Sequence, residues 1–211
     1  VNQIVHKSNE RLLHDMELCV KYKVPLIITS LGARADVNMA AHSYGGIVLH
    51  DVTNNFYAKK AIEKGADGLI AVAAGAGGHA GTLNPIALIQ EIRAWFNGPL
   101  VLSGAIATGR AVLAAQAMGA DLAYIGSAFI ATAEANAQQA YKDMIVNSGA
   151  ADIVYSNLFT GIAQRHGKIF GVQAKVLARC MILFRLRNWW RGLFVNILKP
   201  SAHYLDKLRR L

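Results

Sequence analysis

The chain has 211 residues, 54% of them hydrophobic and 17% charged, which is enough to bury a sizeable core and excludes a disordered or fibrous protein. The net charge of +9 is confined to one end: residues 1–162 hold 11 basic and 12 acidic side chains, whereas residues 163–211 hold 11 basic ones against the single acid Asp206. The first 162 residues therefore carry no electrostatic footprint for nucleic acid.

In chain order, strand and helix alternate with little punctuation. Val1 to His6 reads as a short strand, and Ser8 as the N-cap of a helix from Asn9 to Tyr22 with Leu12, Leu13, Met16, Cys19 and Val20 on one face. Val24 to Ser30 is an apolar strand and Asp36 to His42 a short helix. The strand Gly46–His50 leads to a helix from Asn55 to Lys64, and the strand Asp67–Ala73 runs into a glycine-rich loop. One helix and two pairs remain: helix Pro85–Phe96, strand Pro99–Ser103 with helix Gly109–Met118, and strand Asp121–Gly126 with helix Ala133–Asn147. Nearly continuous apolar strands are buried on both faces, as in parallel sheets covered by crossover helices. Six such βα units suit an open sheet or an incomplete (β/α)8 barrel; the abrupt start inside a strand favours the barrel with two units missing at the front.

Three strand tips carry the chemistry. The run Ala71-Val72-Ala73-Ala74-Gly75-Ala76-Gly77-Gly78-His79-Ala80-Gly81 clears side chains from a ligand's path around one histidine able to exchange a proton near neutral pH. Ser103-Gly104-Ala105-Ile106-Ala107-Thr108-Gly109 and Tyr124-Ile125-Gly126-Ser127-Ala128-Phe129 follow the last two strands, where barrels of this type bind phosphate on backbone N–H groups and helix starts. A glycine at a βα turn is usually structural; two in succession at the end of a strand series predict a phosphorylated ligand. Other groups carry less. His50-Asp51 and Ser30-Leu31-Gly32 sit at strand tips, where the first could touch a ligand and the second line its pocket, but both are read first as solvated or capping residues. His6, His14 and His42 have no partner at catalytic spacing. Asp67 and Asp121 each follow Gly-Ala, open a strand and are read as turn residues at the opposite end. Cys19 and Cys180 fit no metal or disulfide spacing, no cluster suggests a metal, and the N-terminus lacks the regions of a signal peptide, so a reducing, cytoplasmic setting is expected.

The order V-N-x-I-V, V-P-L-I-I-T-S-L-G, G-G-H-A-G, S-G-A-I-A-T-G and Y-I-G-S resembles the FMN-dependent nitronate monooxygenases over roughly residues 1–162. That resemblance implies a (β/α)8 TIM-barrel fold, here incomplete, holding FMN at the C-terminal strand ends, and the oxidation of alkyl nitronates or nitroalkanes by molecular oxygen without a nicotinamide reductant. It implies that the chain starts at the third barrel strand. His79 matches the histidine beside the flavin, assigned as catalytic base or orienter of the anionic substrate. Asn2 matches a flavin-contacting asparagine, and Val72, Gly77 and Gly78 match positions of the loop lining the ring. Gly104 and Ala105, with Tyr124, Ile125, Gly126 and Ser127, match the phosphate-binding turns. The family pattern reads E-A-G-G-H, and Gly75 stands where the glutamate would, a departure that bears on substrate choice. A flavin-dependent enoyl-acyl-carrier-protein reductase shares the barrel and a similar G-G-H loop and is the alternative; an inactive fragment is another.

From Ala163 the character changes. Val176 to Leu198 places four arginines among aliphatic and aromatic residues, too many for a membrane span. The chain thus divides into a partial barrel over 1–162 and a basic, aromatic tail over 163–211, expected to be helical. A foreign coding end, a helix lying weakly on an anionic membrane surface, and an ordinary packing helix are the readings of that tail.

Overall fold

The structure, a computed structural model, describes residues 1–78, 81–156, 164–167 and 182–185. Strands β1 (Asn2–Ile4), β2 (Leu26–Ser30), β3 (Ile47–Val52), β4 (Gly68–Val72), β5 (Leu100–Ser103) and β6 (Leu122–Ile125) pair in sequence order, each parallel to the last. The crossovers are helices α1 (Leu12–Lys21), α2 (Ala35–His42), α3 (Asn55–Glu63), α4 (Pro85–Arg93) and α5 (Gly109–Ala117); α6 (Ser127–Ile130) and α7 (Gln139–Asn147) follow β6. Strands β7 (Ile153–Ser156) and β8 (Gln164–Gly167) form a separate antiparallel pair, and β9 (Ile182–Arg185) lies antiparallel against β6.

Alternation along each strand divides the core in two. Leu69, Ala71, Leu100, Leu102 and Ala123 face the helices and pack with Leu88, Ile89 and Ile92 of α4 and with Ala58 and Ala61 of α3. Ile28, Leu49, Ile70, Val72, Val101 and Tyr124 face the other way and form a second cluster. Five strand spacings would set β1 and β6 about 24 Å apart in a flat sheet. Yet the Asn2 side chain of β1 reaches the Tyr124 hydroxyl of β6. The six strands are therefore curled into a half-barrel with this second cluster on its inner face.

Helix starts follow local chemistry. The side chains of Asn54, Asn84 and Thr108 accept from the backbone N–H groups of Tyr57, Ile86 and Ala111 and so cap α3, α4 and α5. Ser8 does not cap α1. It hydrogen-bonds His6 instead, and the helix begins at Leu12 after Arg11. The helix expected from Ala133 begins at Gln139, because the Lys142 ammonium donates to the carbonyls of Thr132 and Ala133 and ties the preceding turn down. The helical reading of the tail is corrected where that tail is described. Gln164–Gly167 and Ile182–Arg185 are strands, the second paired antiparallel with the edge that β6 offers. Among the described residues no helix is long and apolar enough to cross a membrane.

Candidate functional site

The register gathers the glycine loops. Val72 of β4 pairs with Ser103 of β5, and Ser103 with Tyr124 of β6. The loops leaving these three residues start side by side at the C-terminal rim of the half-barrel, where barrels keep their chemistry. One backbone clamp joins the first two: the Ala105 N–H donates to the Gly75 carbonyl at 2.9 Å. A Cβ on Gly75, whose φ is +105°, would meet the Ala105 Cβ at 2.8 Å. Gly104, at φ +154°, lies close enough to the Ala74 carbonyl that a Cβ would approach it to 3.1 Å. Gly75 is thus required by the clamp, and the glutamate expected there from the family pattern has no room without moving the β5 loop. The first loop also folds back on its own strand. The Ala74 N–H donates to the Leu83 carbonyl at 2.8 Å, and a Cβ on Gly81 would fall 2.1 Å from the Val72 carbonyl. Beside this return lies a cleft of about 220 Å³ lined by Thr53, Asn54, Gly81, Thr82 and Leu83.

The expected site residues divide. Val72 and Tyr124 are buried on the inner face, and Asn2 reaches that face from β1. Gly104 and Gly126 sit half-buried at the rim; Gly77, Gly78, Ala105 and Ser127 are exposed there. The Ala105 N–H is engaged by Gly75, so Ala105 lends shape to the turn and no donor. The Ile125 side chain packs against the helix-side core, so only its backbone borders the rim. His79 lies outside the described residues.

Of the His50-Asp51 pair, read first as solvated or capping, Asp51 is the member turned toward the site. Along β3, His50 and Asp51 point to opposite faces. His50 is buried beneath the helices, its Nδ1 in a 2.6 Å hydrogen bond with the Thr29 hydroxyl, and burial pushes its pKa down to about 4. Asp51 faces the inner side, in register with Ile70. Burial pushes its pKa up to about 7, and its charge, after burial, helps hold the Tyr124 hydroxyl well above the usual tyrosine range. Among the described residues, Asp51 Oδ1 and Asn2 Oδ1 are both buried without a hydrogen-bond partner. Strand alternation was the signal available: a residue two positions from the inward-facing Leu49 shares its face.

At the opposite end of the strands, Asp67 and Asp121 are the turn residues expected. The Val48 N–H donates to Asp67 Oδ2 at 2.7 Å, and the Leu100 N–H donates to Asp121 Oδ2 at 2.9 Å. His42, expected to have no partner at catalytic spacing, sits half-exposed at this end, 2.9 Å from Asp67.

Parallel βα units curled about an inner face, with three glycine loops on the C-terminal rim, define an incomplete (β/α) barrel, a fold that keeps its chemistry at that rim. The chain belongs to the nitronate monooxygenase family, a family of oxidoreductases whose model matches residues 2–175. A probable nitronate monooxygenase of Staphylococcus aureus is 28% identical over 157 residues, covering 69% of this chain and 44% of that protein. The chain thus spans less than half the length of that curated relative. Among solved structures, FabK from Thermotoga maritima superposes with a TM-score of 0.72 at 28% identity, over 80% of this chain and 53% of FabK. A nitroalkane oxidase from Streptomyces ansochromogenes does so with a TM-score of 0.66 at 28% identity, over 71% of this chain and 47% of the oxidase.

Proposed function

We propose that this chain binds FMN along the C-terminal rim of β4, β5 and β6 and serves the oxidation of alkyl nitronates by molecular oxygen. The observation that carries this reading is the register Val72–Ser103–Tyr124, which aligns the three glycine loops while Asn2 reaches the same face from β1. The residues fit the cofactor in two ways. Gly75 and Gly104 leave backbone where a side chain would intrude, and the inner face keeps two buried acceptors that no described residue satisfies. Gly104 and Ala105, with the backbone of Ile125, Gly126 and Ser127, would border the phosphate; Val72, Gly77 and Gly78 would line the ring; Asn2 and Tyr124 would supply its polar contacts. Bound flavin supplies the electron-accepting chemistry. His79 would accept the α-proton of a neutral nitroalkane or, protonated, hold the nitro oxygens of the nitronate. Residues 1–162 are taken as the flavin-binding unit, and the cell interior as its setting.

The reading is tested by extracting flavin from purified protein and following oxygen uptake with a nitronate. His79→Asn is expected to keep its flavin and lose about 100-fold or more in turnover of neutral nitroalkanes, within the span of general-base catalysis. Unchanged turnover in that variant would take the histidine out of the mechanism. A second reading, an enoyl-acyl-carrier-protein reductase, is favoured by the likeness to FabK. It predicts that NADH or NADPH bleaches the flavin without oxygen, whereas the nitronate reading predicts that neither does.

A further inference from the structure

The inner face keeps two acceptors in want of a donor, Asn2 Oδ1 and Asp51 Oδ1, both buried. Between them stands the Tyr124 hydroxyl, reached by the Asn2 amide and acted on by the Asp51 charge. A buried carboxylate oxygen with nothing donating to it is unfavourable, and folded proteins keep few of them. Its aliphatic neighbours Leu49, Ile70, Val72 and Val101 carry no donor, and the groups of that face that do, on Ser103, Tyr124 and Asn2, make no hydrogen bond to it. An acceptor held in an apolar wall is suited to a guest that brings an N–H or O–H.

Resting on the flavin reading, we propose that Asp51 is a positioning residue that accepts a hydrogen bond from the bound flavin nucleotide. The oxidised ring has one N–H, at N3, and the ribityl chain has hydroxyls; either supplies the donor. Asp51 belongs to none of the glycine motifs. Its role follows from strand parity and an unpaired oxygen. An ionised carboxylate beside the ring also opposes the negative charge that reduction adds, so it lowers the ring's midpoint potential.

The test uses the full chain, Asp51→Asn and Asp51→Ser, each titrated with FMN, N3-methyl-FMN and lumiflavin. The midpoint potential of the FMN-loaded forms and the thermal midpoint of the ligand-free forms are measured alongside. Asp51→Asn is expected to weaken FMN about tenfold, the loss of one charge-assisted hydrogen bond, and to raise the potential, while ligand-free protein melts at the same temperature or higher. Where N3–H is the donor, the gap between parent and variant vanishes with N3-methyl-FMN; where a ribityl hydroxyl is, it vanishes with lumiflavin. Asp51→Ser repeats the comparison should the amide variant fail to fold. FMN affinity and potential unchanged in both variants overturn the inference and leave the flavin reading standing. A ligand-free Asp51→Asn that melts earlier with unchanged affinity marks a carboxylate serving the fold, and also overturns it. A parent chain that takes up no FMN overturns both.

Discussion

His50 and Asp51 are neighbours in sequence with opposed titrations, because a strand sends successive side chains to opposite faces. Burial lowers His50 from its ordinary 6.5 to about 4 and raises Asp51 from 3.8 to about 7. Between those limits the unfolded chain holds a proton at His50 that the fold refuses, so stability from this group falls as pH drops from about 6.5 to about 4. At Asp51 the fold holds a proton that the unfolded chain has released, so stability from this group falls as pH rises from about 4 to about 7. The two slopes nearly cancel in ligand-free protein. Replacing Asp51 by Asn removes one of them. The difference in unfolding free energy between Asp51→Asn and the parent is therefore expected to grow across that range and then level off. Asp51 is partly exposed, which reduces the amplitude to about 1–2 kcal/mol. Urea unfolding at pH values spanning that range measures it. A difference that stays constant with pH would mean that Asp51 titrates as an ordinary surface acid.

At the level of elements, the two Gly-Ala-Asp runs show one device used twice. Asp67 opens β4 and accepts the N–H of Val48 in the neighbouring β3; Asp121 opens β6 and accepts the N–H of Leu100 in the neighbouring β5. Each carboxylate also meets a side chain from the helix before the intervening crossover, the His42 imidazole of α2 for Asp67 and the Arg93 guanidinium of α4 for Asp121. The carboxylates are partly exposed, so the ion pairs contribute little, and the half-buried backbone N–H is the group at risk. Asp67→Ala and Asp121→Ala are each expected to destabilise by about 1–2 kcal/mol. Added salt is expected to change those losses only slightly. A loss that disappears in high salt would assign the effect to the ion pair. The elements themselves were legible because their signals are local: apolar runs, Asn and Thr caps, and glycines after strands. The role of Asp67 and Asp121 as turn residues was legible for the same reason. The pairing of His42 with Asp67, 25 positions away, was not, since it depends on where α2 docks. Asp51 was underweighted because its tip position drew the eye to His50, whose side chain the pleat turns away from the site. The tail misled in another way, since arginines among aliphatic residues read as a helix until β6 supplies an edge for Ile182–Arg185 to pair with.

At the scale of the molecule, curvature converts a linear series of strands into a site. Asn2 on the first strand and Tyr124 on the sixth meet only because the sheet bends, and Asp51 from the third acts on the same hydroxyl. Among the described residues β1 has a neighbour on one side only, β2, and pairs with it over three residues. A ligand contacting Asn2 and Tyr124 together would brace that edge against the far side of the arc. With FMN at about 100 times its dissociation constant, binding to the native state alone adds about 2.7 kcal/mol to stability. That gain is expected to appear as slower amide exchange in β1 and in β6 by comparable factors, because one bound molecule touches both. Hydrogen exchange measured with and without FMN reads the two strands separately. Protection confined to β5, β6 and the loops after them would mean that the nucleotide is held by its phosphate end alone, with Asn2 and the inner face taking no part.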